Sequence, residues 1–539
     1  MRKWLLALSV TGLVIVSAIC ALWLEDVRME VPVIDTKKAQ TIEEKLNQQS
    51  DAMKFDLMFA GEALAYDSAG KTFFLPLSME TEDWEEGGFE AGDGVQIWFT
   101  EDFTKESKLL LMREDRAIPF YAVSGDRCEM FYLKLTGLPV LDFTGTEQMT
   151  ENGEPLFELV LYDTDHEGDW VKRCLTTSML RGNTSLNYEK KSLRLKLKEQ
   201  GEDGTYQKVN KNFLEIREDD DWILNSLYAD NSRIRDKLAM DLWQETGAYG
   251  NPYGQNFGVK GEYVEVLIND GYVGLYLLTH PVDRKQLGMD SVSSQLAAGK
   301  DVIERIYKKK YTAAWQEEDF IGNLPDSQMP DYRGGFYLKG DTILQNEQEW
   351  DPLRRMAACI EAEDEEFSAQ IGELGDISNI LDNWLFYQAI AGFDNENKNV
   401  YYVVRQKDTG SCGYFVPWDM NISFGAIFEE NEYYCAESMK GLEEIVEFEP
   451  GMRVVQLDVS GAQAQVQTKW RTWREGVFST ESLCARMDSL TEVLVSSGAM
   501  KRETERWPGG NASPDISFMK QFTTQRLEFL DGYVEALGQ

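Results

Sequence analysis

The sequence contains only two histidines, and this scarcity argues against several kinds of catalytic site. A hydrolase of the Ser-His-Asp or Cys-His type needs an imidazole base, and only His166 and His280 could supply one among 539 residues. The seven cysteines are scattered and form no CxxC pair, so the sequence predicts neither a zinc site nor a disulfide framework. A glycosidase is harder to exclude, because chance carboxylate pairs are inevitable among 93 acidic residues.

The sequence also contains few basic residues relative to its acidic ones. Against the 93 Asp and Glu stand 54 Lys and Arg, which gives a formal net charge of -39 at pH 7. Such a charge repels phosphate backbones, so nucleic acid is not an expected partner. The hydrophobic share is 43%, and the aromatic residues include 14 Trp, 23 Tyr and 26 Phe. The composition therefore predicts a globular protein with enough apolar material for more than one core.

One long apolar run stands at the N-terminus. Residues 4–24 contain no charge, follow Arg2 and Lys3, and precede an acidic pair. A run of this length can span a bilayer, and the basic flank on its N-terminal side would leave the rest of the chain outside the cytoplasm. We predict a signal-anchor over residues 1–30 that attaches the protein to the cell membrane, followed by a stalk over residues 31–54. A cleaved signal peptide, which would make the protein secreted, is the alternative.

The rest of the chain divides into two parts that differ in pattern. Over residues 55–154, short alternating runs separated by Gly-containing turns predict a small β-sandwich-like accessory domain. Over residues 155–539, strand patterns give way to helical ones, which predicts a two-lobed α+β domain with a cleft between the lobes. Within this domain, the polar stretch over residues 308–327 is predicted to be a loop.

The segment over residues 394–425 is the strongest catalytic candidate. Asp394 and Asn399 follow a predicted helix, and two apolar strand-like runs joined near Gly410 lead to Asp419. A hairpin would bring Asn399, at its entrance, beside Asp419, at its exit. Mg²⁺ prefers such oxygen ligands, with phosphates and waters completing its shell. Asp394 then remains available to accept a proton from an attacking hydroxyl, which is the order of parts in protein kinases.

Several motifs resemble those of the spore-coat CotH kinase family, in the same order and at similar spacing. They are RGNTS at 181–185, KKSLRLKL at 190–197, LNSLYADNSRIRDKLAMDLWQETG at 224–247, GYVGLYLLT at 271–279, GGFYL at 334–338, DNENKN at 394–399 and PWDMNISFG at 417–425. The similarity extends over about residues 156–537. It implies an atypical protein-kinase-like fold, often outside the cytoplasm or on the spore surface. It also implies ATP with Mg²⁺ or Mn²⁺ as cofactors, and phosphate transfer to a secreted or cell-surface protein.

The resemblance assigns roles to individual residues. Asp394 resembles the catalytic aspartate, while Asn399 and Asp419 match the metal-binding positions. The phosphate-covering turn of the family corresponds to the segment that contains Arg181, Asn183 and Ser185. Glycine in this turn allows the backbone to approach a phosphate closely, and the amide and hydroxyl groups can donate hydrogen bonds to it.

Two adjacent lysines compete for the position of the ATP-binding lysine. Alternate residues of a strand share a face, so Lys191 would lie with Leu193 on the apolar, covered face, and Lys190 with the polar residues. This pattern favours Lys191, with Lys190 as the alternative. An acid on the following helix, Asp241 or Glu245, is the candidate partner of that lysine.

Three positions depart from the family pattern. The second acid that often follows W-D-x is Asn421 here, and acids that are common elsewhere in the family are replaced by His280 and Lys339. Retention of the three hairpin residues predicts an extracytoplasmic protein kinase that acts on Ser or Thr hydroxyls. The departures favour the alternative, which is a catalytically silent pseudokinase-like scaffold or a cell-envelope or spore-coat binding protein.

Overall fold

The folded part of the chain is a mixed α+β protein. The computed structural model describes residues 29–35, 38, 53–92, 94–166, 169–247, 258–300, 304–311, 314–321, 331–340, 347–407, 410–428 and 435–539. The apolar run of the predicted signal-anchor and most of the predicted stalk lie outside these residues. Within the described ranges, no helix is both long enough and apolar enough to cross a membrane.

The first unit consists of two β-sheets that share one apolar core. Its elements are β1 (Leu57–Phe59), β2 (Glu62–Ala63), β3 (Ala65–Asp67), β4 (Thr72–Pro76), β5 (Phe89–Ala91), β6 (Gln96–Phe99), α1 (Lys108–Arg113), β7 (Ile118–Ser124) and β8 (Arg127–Thr136). One sheet has the strand order β2-β1-β5 and the other has the order β3-β4-β8-β7-β6. Aromatic rings join the two sheets, because Phe89 contacts Phe59 in one and Phe99 in the other. Two sheets around one core is the arrangement of a small β-sandwich.

The second unit is a closed ring of strands. Its elements are β9 (Val140–Thr144), β10 (Leu156–Tyr162), β11 (Val171–Arg181), β12 (Ser192–Gln200), β13 (Tyr206–Lys208), β14 (Lys211–Phe213), β15 (Arg217–Asp219), β16 (Asp221–Asn225), α2 (Arg235–Thr246), β17 (Gly261–Ile268) and β18 (Tyr272–Thr279). Seven strands pair in the cyclic order β9-β10-β11-β12-β16-β18-β17, and β17 returns to β9. Inward-facing side chains such as Leu159, Leu195 and Val264 fill this barrel with a core of its own.

Strand β9 connects the barrel to the preceding unit. It lies before the predicted domain boundary at residue 154, yet it pairs with β10 in antiparallel and with β17 in parallel register. The two units also touch through side chains, as in the stacking of Phe74 on Tyr272 with ring centroids 5.3 Å apart. The pairing of β9 therefore crosses the predicted boundary, and the division of the chain at that point stays a prediction.

The C-terminal half combines one sheet with most of the helices. Its elements are α3 (Val292–Ala297), β19 (Arg305–Lys309), β20 (Tyr332–Arg333), β21 (Phe336–Lys339), α4 (Asp351–Glu361), α5 (Asp364–Leu374), α6 (Ile377–Ile390), β22 (Val400–Lys407), β23 (Gly410–Pro417), β24 (Ala426–Phe428), β25 (Cys435–Glu437), α7 (Gly451–Gln456), α8 (Ala462–Glu475), α9 (Thr480–Ser496), α10 (Ala499–Arg506) and α11 (Ser517–Glu535). The sheet has the order β20-β21-β19-β22-β23 and packs with the helices around the largest core.

The prediction of a loop over residues 308–327 is wrong for the first residues of that range. Lys308 and Lys309 belong to β19, the middle strand of the five-stranded sheet. Backbone pairing with β21 on one side and β22 on the other holds this lysine-rich segment in the sheet. Sequence polarity alone suggested a loop because the lysines hide the period-2 alternation of a strand.

Candidate active site

The predicted β22–β23 hairpin is confirmed, with Asn399 at its entrance and Asp419 at its exit. Val400 pairs with Pro417 at the base of the hairpin, and the Trp418 N–H donates to the Asn399 carbonyl oxygen at 3.0 Å. Asn399 and Asp419 both have left-handed backbones, with φ of 56° and 57°. Asn and Asp tolerate this region better than most other residues. The hairpin therefore fixes an amide and a carboxylate at the same end of the sheet.

Asp394 lies on the 3-10 turn Phe393–Asn395, just after α6. The Asn399 Nδ2 donates to its Oδ2 at 2.7 Å, and the Lys398 Nζ lies 2.7 Å from its Oδ1. Burial raises the pKa of Asp394, an effect that Lys398 opposes and that Asp419 reinforces. Because each carboxylate oxygen is held by a different neighbour, the orientation of Asp394 is fixed.

Asn395 ties these parts together, although the sequence pattern does not single it out. Its side chain is buried, and its Nδ2 donates to the carbonyl oxygens of Asn399 at 3.1 Å and Trp418 at 2.9 Å. One amide thus bridges the two ends of the hairpin. Its place within the DNENKN segment was the only available sign of this role.

The turn after β11 approaches the hairpin from the barrel. Arg181, Asn183 and Ser185 line the same cavity as the hairpin residues. Gly182 has φ of +131°, and a Cβ at this position would come within 1.9 Å of the Ser185 Oγ. Only glycine therefore allows this turn to close.

Two adjoining cavities lie between the barrel and the five-stranded sheet. The first, of about 400 Å³, is lined by residues 181–185 on one side and by Asp394, Asn399 and Asp419 on the other. The second, of about 750 Å³, shares five lining residues with the first. The shared residues are Arg181, Ile223, Lys308, Lys339 and Trp418. Both volumes are typical of small-molecule sites.

A family model for the CotH kinase protein matches residues 179–530, which is more than half of the chain. The chain belongs to the CotH kinase family. The match includes both walls of the first cavity, from the turn after β11 to the hairpin, and it ends in α11. A comparison with curated proteins gives no match.

Neither of the two predicted ATP-binding lysines lines either cavity. Lys190 is buried, and its Nζ donates to both carboxylate oxygens of Glu503 at 2.8 Å and to the Leu275 carbonyl oxygen. Burial lowers the pKa of Lys190 to about 8, and Glu503 opposes this shift. The Lys191 Nζ donates to the carbonyl oxygen of Leu186 at 2.6 Å. Both ammonium groups therefore bind other parts of the chain in this conformation, Lys190 in the interior and Lys191 in a partly exposed position. Their role toward ATP stays a prediction.

The predicted acidic partner of the lysine is wrong. Asp241 pairs with Lys237 at 2.9 Å and Glu245 pairs with Arg486 at 2.5 Å, whereas the carboxylate beside Lys190 is that of Glu503 on α10. Glu503 follows Lys190 by 313 positions, so no local sequence pattern could reveal the pair.

Asp236 is a further acid in the first cavity. The Asn225 Nδ2 donates to one of its oxygens at 2.7 Å and the Met420 N–H donates to the other at 3.1 Å. Burial raises the pKa of Asp236 to about 7, and Asp419 reinforces the shift. An acid in the first turn of a helix is common, so its position gave no sign of a place in the site.

Two of the three departures from the family pattern fall on the site itself. Asn421 and Lys339 line the first cavity, whereas His280 lines neither cavity. His280 is buried, and its Nε2 accepts a hydrogen bond from the Lys260 N–H at 3.3 Å. A change in metal or nucleotide contacts would therefore arise from Asn421 or Lys339 rather than from His280.

The side-chain oxygens of Asp419 and Asn399 fit a divalent cation that is shared with nucleotide phosphates. Within the described ranges, no group of three or more His, Cys, Asp or Glu side chains is arranged to hold a metal ion. Mg²⁺ in phosphate-transfer sites commonly takes only one or two protein oxygens, and phosphates and waters supply the others. Asp419 and Asn399 provide that number, and the Asp419 side chain is exposed.

Proposed function

We propose that this chain is a protein kinase that transfers the γ-phosphate of ATP to Ser or Thr hydroxyls of a secreted or cell-surface protein. The observation that carries the proposal is the placement of Asp394, Asn399 and Asp419 on one wall of a cavity whose opposite wall is the turn at residues 181–185. Membership of the CotH kinase family supports it. The same three side chains are the oxygen ligands and the proton acceptor that phosphate transfer requires.

These residues would have separate roles in phosphate transfer. Asp419 and Asn399 would hold Mg²⁺ or Mn²⁺, which neutralises phosphate charge and orients the γ-phosphate. Asp394 would orient the acceptor hydroxyl and accept its proton. Its raised pKa strengthens it as a base, while the ion pair with Lys398 favours the ionised form.

A transfer assay with γ-labelled ATP and Mg²⁺ or Mn²⁺, followed by mass spectrometry, tests this function. The wild type should phosphorylate itself or an added Ser-rich acceptor protein, and Asp394→Asn should lose on the order of 10²-fold or more in rate. Asp488→Asn is the matched control, because that side chain is 60% exposed and lies far from the site in sequence, on α9. A wild type that transfers nothing would contradict the proposal.

A silent scaffold is the second candidate, and Asn421 in the first cavity is the observation that favours it. Loss of an acid near Asp419 would weaken a second metal position. ATP binding by the wild type without any transfer would support this candidate.

We also propose that the kinase domain lies outside the cytoplasm. The support is the charge-free run at residues 4–24 with Arg2 and Lys3 before it. External protease should digest the bulk of the protein on intact cells, and the protein should remain with membranes after a salt wash. A soluble chain that begins near residue 25 would instead indicate a cleaved signal peptide.

A further inference from the structure

Within the described ranges, and apart from the exposed Arg284, four cationic side chains around the two cavities have no acidic partner. Arg181, Lys308 and Lys339 line both cavities, and Lys310 lines the first. None of these side chains forms a salt bridge or hydrogen bond with another residue of the described ranges. The chain has 93 acidic residues for 54 basic ones, so carboxylates are abundant. Cavity-lining cations that form no ion pair with a carboxylate indicate an anionic ligand.

Lys308 has the most central position of the four. Alternate residues of a strand share a face, so Ile306 and Lys308 follow one another on β19, and Lys310 lies just past the end of that strand. Ile306 lines only the second cavity, Lys308 lines both, and Lys310 lines only the first. The Lys308 Nζ lies 5.3 Å from the centroid of the Trp418 ring and 5.5 Å from that of Tyr401. The ammonium group is therefore held over aromatic rings where the two cavities join.

Arg181 shares the Trp418 ring with Lys308. Its guanidinium carbon lies 6.0 Å from the ring centroid. Burial, together with Arg181, lowers the pKa of Lys308 to about 7, and burial also lowers the pKa of Arg181. The Asp419 carboxylate opposes both shifts without an ion pair to either side chain. Two like charges that are partly removed from water repel each other, and an anion bound between them would relieve this repulsion.

Lys190, by contrast, has no donor left for a ligand. An ammonium group has three N–H donors. Those of Lys190 meet the two oxygens of Glu503 and the Leu275 carbonyl oxygen, and the side chain has no exposed surface. Lys190 could reach a ligand only if this buried ion pair broke.

We propose that Lys308, with Arg181 beside it, binds the phosphates of the nucleotide, and that the Lys190–Glu503 pair is structural. This inference rests on the proposed function, because it takes a nucleoside polyphosphate as the ligand. The nucleoside would then occupy the second cavity, beside apolar residues such as Ile306 and Leu338. The terminal phosphate would point into the first cavity, toward Asp394 and Asp419.

Calorimetric titration of the full chain with ATP, ADP and adenosine in the presence of Mg²⁺ tests the inference. Lys308→Met keeps the length of the side chain and removes its charge, whereas Lys308→Arg keeps the charge. Lys308→Met should weaken ATP and ADP binding by roughly 10- to 100-fold, the scale of a lost charge-assisted contact, and leave adenosine binding unchanged. Lys308→Arg should stay within a few-fold of the wild type for all three ligands.

Two lysine variants serve as comparisons. Lys190→Met should keep the wild-type ratio of ATP to adenosine affinity wherever it is folded. Lys105→Met removes an equal charge from a side chain that is 78% exposed on the first unit, and it should bind like the wild type. Circular dichroism checks that each variant is folded, and Lys308→Gln replaces Lys308→Met if the latter does not fold.

The outcomes separate this inference from the proposed function. Equal ATP affinity for the wild type and the neutral Lys308 variant would overturn the inference, as would a phosphate-specific loss confined to Lys190→Met. A wild type that binds none of the three ligands would overturn the nucleotide-dependent function, and the inference with it.

Discussion

The Lys190 Nζ lies 2.8 Å from both carboxylate oxygens of Glu503, and neither side chain has exposed surface. The same carboxylate accepts from the Arg233 Nε at 3.2 Å and from the Leu275 N–H at 3.0 Å. One acid on α10 therefore joins the approach to β12, the segment before α2 and the strand β18. These elements form the side of the first cavity that belongs to the barrel.

Replacing Glu503 with Ala should destabilise the fold strongly. The substitution leaves Lys190 and Arg233 as buried charges without their carboxylate, and such a loss costs about 3–5 kcal/mol. Urea denaturation measures the free energy of unfolding. Glu492→Ala on the neighbouring helix is the control, because its side chain is 55% exposed and its pair with Arg113 should contribute about 1 kcal/mol or less. Similar losses in the two variants would contradict this expectation.

Substitutions of Asp394 and Asp419 should impair ATP binding and phosphate transfer in different ways. Asp419→Ala removes a carboxylate that would contact the cation, so metal-dependent ATP affinity should fall by about tenfold or more and transfer should cease. Asp394→Asn should bind ATP almost normally and yet lose transfer, because a positioned base acts in the transition state. ATP titrations at several Mg²⁺ concentrations, beside label transfer, separate the two effects. Identical behaviour of both variants in both assays would argue against the division of roles.

The buried Asn395 side chain should contribute to both stability and phosphate transfer. Asn395→Ala removes the amide that bridges the carbonyl oxygens of Asn399 and Trp418. The Asn399 oxygen keeps the Trp418 N–H as a donor, but the Trp418 oxygen loses this donor, which costs about 1–3 kcal/mol. We expect lower stability and slower transfer. Asn397→Ala, two residues away in the bend that follows the turn, is the matched control and should change neither. The measurements are urea denaturation and label transfer, and an unchanged Asn395→Ala would refute the bridging role.

Much of the active site could be predicted from the sequence because its parts are close along the chain. The helix before Asp394 and the hairpin between Asn399 and Asp419 are defined by local patterns and by pairing between adjacent strands. Few backbone conformations can connect residues that are this close along the chain, so their spacing alone brings the residues together. The turn at residues 181–185 is local in the same sense.

The barrel wall of the site could not be predicted in the same way. The argument that placed Lys191 toward the cleft assumed a regular strand, but β12 begins only at Ser192, so alternation does not apply to the two lysines before it. Glu503 is distant in sequence from Lys190. Lys308 was hidden in a run of three lysines whose strand conformation depends on neighbours from two other segments. Each of these features depends on tertiary pairing rather than on local preference.

Because His280 is neutral in the folded state, the free energy of unfolding should decrease in mild acid. Burial lowers the pKa of His280 to about 4 from its ordinary 6.5, so the folded state binds this proton more weakly than the unfolded state. Its contribution to stability is full above pH 6.5 and is lost as the pH falls toward about 4. His280→Gln should remove this loss, which is at most about 1.4 kcal/mol per pH unit.

Urea denaturation of the wild type and His280→Gln at about pH 7.5 and about pH 5 provides the comparison. The carboxylates titrate in both proteins, so their effect cancels in the difference between the two free energies of unfolding. A difference that does not change with pH would show that His280 is not held neutral.

The closure of the barrel by β9 has a consequence for any shortened chain. A closed ring has no free edge, but without β9 both β10 and β17 would present a row of unpaired N–H and C=O groups. The segments LFELVLY and GEYVEVLI are rich in apolar and β-branched residues, which favours association between exposed strand edges. A chain that begins at residue 155 would therefore pair edge to edge with its own copies, whereas one that begins before β9 keeps the ring intact.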